Sequence, residues 1–177
     1  ASSTPVVTYL VKYVYLGDEI YYQHSLAKGA AIIVLDEIEI PGYQFVGLFL
    51  DAQFEVPFDL QVMPEEDVII YIQLQELYTV AFDSAGGSFV APFIGFAGQT
   101  LILPDAPSKV GHNFAGWYVD DNYYVPFTWD EMQAQNITVY AKWTVGLYQL
   151  KFYSDGELII QGEYYYQEAI QFITPSK

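Results

Sequence analysis

The sequence predicts a mainly β fold on the border of α+β, built as small domains in tandem with one short helical turn in each. Three observations carry that expectation. Hydrophobic residues make up 53% of the chain and aromatics 18%, with 17 Tyr and 12 Phe; aromatic and β-branched residues suit a pleated, half-buried surface better than a helix. One segment pattern occurs twice in a single register. Inside each copy, apolar and polar residues alternate over short runs bounded by Gly, Pro and Asp, the period of a half-buried strand.

The repetition comes first, because a missed repeat misreads the whole fold. PGYQFVGLFLDAQFEVPFDLQVM (41–63) aligns without a gap on VGHNFAGWYVDDNYYVPFTWDEM (110–132). Gly42 falls on Gly111, Phe45 on Phe114, Gly47 on Gly116, Asp51 on Asp120 and Met63 on Met132, always 69 positions apart. The same shift places Tyr9 on Tyr78, Val11 on Val80, Gly17 on Gly86, Asp36 on Asp105 and Tyr71 on Tyr140. A third copy starts at Tyr148: Tyr148, Leu150, Phe152, Ser154 and Gly156 follow Tyr78, Val80, Phe82, Ser84 and Gly86 at a shift of 70. The organisation expected is an N-terminal extension (1–8), repeat 1 (9–76), repeat 2 (77–145) and a partial repeat 3 (146–177).

The second copy shows the elements in order. TVAFDS (79–84) alternates and reads as a strand; Ala85-Gly86-Gly87-Ser88 reads as a turn, followed by a second strand around Phe89–Ile94. QTLILP (99–104) is a short strand stopped by proline, and 104–107 is loop. NFAGWYV (113–119) is a strand whose internal glycine marks a bulge or a close backbone approach. Thr128-Trp129-Asp130-Glu131 has the spacing of a capping box, so one helical turn is expected to open there and end near Asn136. ITVYAKW (137–143) closes the copy, with Ile137, Val139, Ala141 and Trp143 on one face; its earlier counterpart is VIIYIQL (68–74). Trp117 and Trp143 stand where the first copy has Leu48 and Leu74, and apolar-for-apolar exchange of this kind points to core positions. Trp129, matching Leu60, is expected to pack the helical turn. In the third copy, Tyr148–Phe152 is expected to pair with Glu157–Gly162 as a hairpin, carrying Leu150, Phe152, Ile159, Ile170 and Phe172 whose apolar surface needs a cover.

Charge narrows the function. Twenty-two acidic residues face six lysines, with no arginine, for a net charge of −16. Nucleic-acid binding needs cations for the phosphates and is not expected. No apolar run is long enough for a membrane-spanning helix, so membrane insertion is not expected either. Cysteine is absent, which removes disulfides and thiolate metal sites. The opening ASSTPVV has the look of a mature end or of a cut fragment.

Chemistry has little to stand on, and no catalytic, metal or cofactor-binding residue is assigned. His24 and His112 do not fall on matched positions; His112 aligns with Tyr43 and is expected to pack or cap a strand start. Asp120-Asp121-Asn122 and Glu65-Glu66-Asp67 are the densest oxygen clusters, but neither has the spacing or central glycine of an EF-hand loop. Lys12 and Lys142 are possible donors for an isopeptide cross-link. The candidates for partner contact are aromatic: Tyr21, Tyr22, Tyr123, Tyr124, Tyr164, Tyr165 and Tyr166. Neighbours on a strand face opposite ways, so at least one of each group is expected to be exposed, where tyrosine gives contact area at low entropic cost.

The residues FAGWYVDD (114–121) and FTWDEMQAQNITVYAKWT (127–144), with YTVAFDSAGGSF (78–89) upstream, resemble the repeat of Listeria and Bacteroides surface proteins, including the B repeat of internalins. The first copy departs from it at Leu48 and at Tyr71-Ile72-Gln73-Leu74, where that pattern has Trp and Tyr-Ala-Lys-Trp. The resemblance implies a small β-grasp-like domain strung along bacterial surface and secreted proteins, with no enzymatic activity and no cofactor. The function expected is an extracellular spacer or adhesion segment facing a protein or glycan surface partner. The alternative is a fibre subunit that self-associates through its partial third repeat.

Overall fold

The computed structural model describes residues 5–35 and 37–170. Asp36 and Phe172, both named in the sequence comparison, lie outside the described residues, as do 1–4 and the rest of 171–177. The chain divides into two compact units, Ala1–Leu77 and Tyr78–Lys177. The described residues form strands, turns and loops, with no helix.

Unit 1 is a four-stranded mixed sheet of β1 (Thr8–Tyr15), β2 (Glu19–Ala27), β3 (Tyr43–Phe49) and β4 (Val68–Glu76) in the order β2-β1-β4-β3. β1 and β2 form a hairpin, β1 and β4 run parallel, and β3 closes antiparallel on β4. Unit 2 has β5 (Tyr78–Asp83), β6 (Phe93–Gly95), β7 (His112–Tyr118) and β8 (Ile137–Val145) in the matching order β6-β5-β8-β7. A separate two-stranded sheet follows in this unit, β9 (Leu147–Ser154) against β10 (Glu157–Tyr165). Its two-residue loop, Asp155-Gly156, has positive φ at both positions (51° and 86°), the conformation that matches the twist of a hairpin.

Each four-stranded sheet buries one face. Val11, Tyr13, Val68, Ile70 and Ile72 face a core completed by Ile32, Ile38 and Met63. In unit 2, Val80, Val139, Ala141 and Trp117 meet Val90, Leu101, Phe127 and Met132. The glycine inside β7 has a structural reason. Phe114 pairs with Trp143 and Trp117 with Ala141, three residues against two. That bulge, with Gly116 at φ 113°, puts Phe114 and Trp117 on the same face, where plain alternation would separate them. Phe45 and Leu48 bracket the same irregularity opposite Leu74 and Ile72. Trp117 is buried, with its ring centroid 4.9 Å from Phe82 and 5.2 Å from Phe114. Trp143 is half-buried, and its indole N–H donates to the Ser84 carbonyl at 2.8 Å.

The expected helical turn is absent. Residues 128–136 are extended and irregular, and their backbone groups are spent on another segment. The N–H of Leu101 donates to Asp130 O, that of Met132 to Gln99 O, and that of Gly98 to Met132 O, at 2.8–2.9 Å. Unit 1 makes the same three bonds between 29–32 and 61–63. Burying both Phe127 and Met132 needs the reach of extended chain, and the cross-chain bonds displace the local capping preference of Thr128 and Glu131. Trp129 packs on Phe127 at 5.2 Å instead of on a helix. Two strand expectations also shrink. The second strand of unit 2 is Phe93–Gly95 rather than Phe89–Ile94, because after Gly87 the chain turns to bond Ser108. The segment 99–104 makes a single bridge, Thr100 to Glu131.

Candidate functional site

The acidic clusters have structural roles. After β3 and β7 the chain doubles back through a loop whose first residue is Asp51 or Asp120. The Asp51 carboxylate accepts the backbone N–H of Gln53, Glu55 and Val56, and that of Asp120 accepts Asn122, Tyr124 and Val125, at 2.6–3.2 Å. At Asp120 the amides of Val125 and Tyr124 are the main cause of a lowered carboxyl pKa. At Asp51 desolvation pushes upward, and the amides of Val56, Glu55, Gln53 and Phe54 together outweigh it, leaving the pKa lowered. A lowered folded-state pKa adds stability above the unfolded-state value near 3.8, and that stability is lost as pH falls through the folded value. Acid unfolding followed below about pH 4 is therefore expected to steepen in the parent protein and to flatten in Asp120→Asn. Asp67 also holds backbone in place: its carboxylate accepts the N–H of Leu10 at 2.7 Å, as the Asn136 side-chain carbonyl accepts that of Thr79 at 2.7 Å. Glu65 pairs with Lys28. No group of three or more potential metal ligands occurs among the described residues.

The candidate tyrosines fall in three settings. Tyr21 and Tyr22 lie on β2 at a bulge, since Tyr13 pairs with Tyr22 and Val14 with Ile20. The bulge lets both rings reach β1: Tyr22 lies 6.2 Å from Tyr13, and Tyr21 lies 6.2 Å from Tyr15. Both stay exposed. Tyr123 and Tyr124 are not on a strand, so alternation does not govern them; Tyr123 has φ 60° and leans on Tyr118 at 5.8 Å, while Tyr124 is 82% exposed. Tyr164 and Tyr165 end β10, the second of them exposed, and Tyr166 follows. The Tyr166 ring covers Gly111 and meets His112 at 5.9 Å, while its N–H donates to Gly146 O and the Gly146 N–H to Gly111 O. His112 opens β7, with Nδ1 2.9 Å from the Val110 carbonyl. His24 lies on β2 beside Tyr22, with both ring nitrogens buried and without a hydrogen-bond partner.

Sequence reasoning missed a set of aromatics on the outer face of each sheet. In unit 2, Tyr118 and Tyr123 lie together and the Lys142 ammonium sits 4.8 Å from the Tyr118 ring centroid. Lys142 thus makes a cation–π contact. In unit 1, Phe49 and Phe54 take the same places, 5.5 Å apart. A cleft of about 140 Å³ opens there, lined by Tyr15, Leu16, Gly17, Asp18, Phe54 and Tyr71 among others. The clue in the sequence was the pair Lys142 and Gln73, which occupy matched positions but differ in charge.

The two units thus share one strand order and one set of backbone hydrogen bonds. Residues 78–142 match the family model of the Listeria-Bacteroides repeat domain, which is a repeat-domain family and not an enzyme family. Curated relatives extend the similarity. Internalin H of Listeria monocytogenes is 34% identical over 106 residues, covering 59% of this chain and 19% of that protein. A protein of Evansella cellulosilytica provisionally named a membrane protein is 31% identical over 137 residues, covering 76% and 20%. A second from that organism, provisionally named a Gly-rich membrane protein, is 32% identical over 123 residues, covering 67% and 14%. The chain therefore spans a fifth or less of each relative's length. Among the described residues, no helix is long and apolar enough to cross a membrane.

Proposed function

We propose that this chain is a non-enzymatic segment of a bacterial cell-surface or secreted protein. It acts as a spacer or adhesion segment that carries a protein- or glycan-binding region away from the cell. In this reading, residues 9–76 and 77–145 are two copies of the Listeria-Bacteroides repeat in tandem, preceded by an extension (1–8) and followed by part of a third copy (146–177). The observation that carries it is the recurrence of the same backbone devices 69 positions apart, such as Asp67 on Leu10 with Asn136 on Thr79. Internalin H and the family match support a location at the cell surface. The tyrosines at 21, 22, 123, 124 and 164–166 are the surface such a segment offers a partner. Its chemistry asks for no cofactor, no nucleic acid and no membrane insertion.

One observation favours a second reading, a fibre subunit. β1 and β5 each carry a parallel neighbour, β4 and β8, whereas β9 pairs only with β10 among the described residues. A two-stranded hairpin can be extended by strand addition from a neighbouring chain. Light scattering across a salt series separates the two readings. The charge of −16 repels like molecules, and physiological salt cuts its reach to about 8 Å. The spacer reading expects a monomer at every salt concentration, both for the whole chain and for one ending at Thr144. Association that grows with salt and vanishes in the shorter chain would replace it with the fibre reading.

A further inference from the structure

We propose that the cleft of unit 1 between the β1–β2 turn and the Phe54 loop is a receptor for a lysine ammonium group presented by a partner polypeptide. The proposal goes beyond the spacer reading and does not depend on it. It starts from what unit 2 does with its own lysines at the matching places. Lys142 lays its ammonium over Tyr118 at 4.8 Å, within the outer aromatic set of that sheet. Lys109 donates to the carbonyl of Ala85 at 2.8 Å, on the Ala85-Gly86 turn, with its ammonium 5.7 Å from the Trp143 ring. Unit 2 thus supplies two cations from within, one to the outer aromatic face and one to the turn.

Unit 1 keeps the turn and the outer aromatics, has Leu74 in place of Trp143, and has no lysine at either matching place. Leu16-Gly17 has the turn conformation of Ala85-Gly86, with φ of 41° and 76° against 48° and 83°. Phe49, Phe54 and Tyr71 stand in place of Tyr118, Tyr123 and Tyr140. Gln73 replaces Lys142 and Ile40 replaces Lys109. Asp18 replaces Gly87, adding a carboxylate at the rim, and Tyr15 replaces Ser84, adding a ring. Aromatic faces beside the Asp18 carboxylate, in a chain with 22 acidic residues and six lysines, complement a cation. Of the two lysines in the described part of unit 1, Lys28 is paired with Glu65, and Lys12 lies on β1 opposite Gln23 and Ile69. A cleft of about 140 Å³ takes the end of one lysine side chain, so the natural occupant is a single lysine on a partner's surface.

The test is NMR titration of the full chain with a short lysine peptide, acetyl-Ala-Lys-Ala-amide, and with its Nε-acetylated form. The expected result is saturable shifts confined to Tyr15, Gly17, Asp18, Phe54 and Tyr71 with the free amine, and none with the acetylated peptide. Asp18→Asn, which tolerates the left-handed backbone at that position, is expected to weaken binding several-fold while Tyr13 and Met63 signals stay in place. Gln73→Lys, which restores the cation that unit 2 carries, is expected to abolish binding by filling the site. The proposal is overturned by no saturable binding, by equal shifts from the acetylated peptide, by shifts spread over the whole acidic surface, or by unchanged binding in Gln73→Lys.

Discussion

Trp117→Ala is expected to destabilise unit 2 by about 3–5 kcal/mol, the usual cost of deleting a large aromatic ring from a packed core. Trp117 is 6% exposed and contacts the rings of Phe82 and Phe114. The alanine would leave a void lined by both, and the bulge at Gly116 would lose the side chain it serves to bury. Urea unfolding followed separately in the two units measures the effect: the transition of unit 2 moves to lower denaturant while that of unit 1 stays. An unchanged transition in unit 2 would remove Trp117 from the core.

Tyr13→Ala is the reciprocal experiment, expected to cost unit 1 about 3–5 kcal/mol by the same cavity argument. Tyr13 is fully buried, and its hydroxyl donates to the Ile33 carbonyl at 2.6 Å. Burial and the neighbouring Tyr22 both raise its pKa, so the ring stays neutral and keeps that bond. Tyr13→Phe keeps the ring and loses only the hydrogen bond, so about 1 kcal/mol is expected. A phenylalanine variant as unstable as the alanine one would mean that the bond to Ile33, not the ring, holds the unit together.

These two substitutions fall on different strands for a reason. Unit 1 has Leu48 where unit 2 has Trp117, and Tyr13 where unit 2 has Phe82. In unit 1 the largest buried ring comes from β1, and in unit 2 from β7. A core is selected for filled volume, which different strands can supply, so the loss of a tryptophan at Leu48 leaves the strand order unchanged.

Strand periods, turn residues and the bulge glycine were legible in the sequence because each is a local property. Alternation in 137–143 fixes which face of β8 is buried; Asp155-Gly156 fixes the last hairpin turn; Gly116 announces the irregularity of β7. The acids of the Asp51 and Asp120 loops were visible only as charge, because which backbone amides surround a carboxylate depends on how the loop closes. Alternation would have set Tyr21 and Tyr22 on opposite faces, and a bulge whose position no residue type marks lets both rings reach β1.

By itself, the sequence determined the β character, the 69-residue spacing of matched positions, the apolar faces and the acidity of this chain. Only the tertiary structure decided the fate of Thr128–Glu131, where a good helix cap lost to hydrogen bonds with residues 98–101. It also decided that Lys142 rests on Tyr118, where the matching place in unit 1 holds the uncharged Gln73. Both outcomes depend on segments that are distant along the chain. A local preference worth about 1 kcal/mol yields when the backbone can make several bonds and bury two large side chains by adopting another shape.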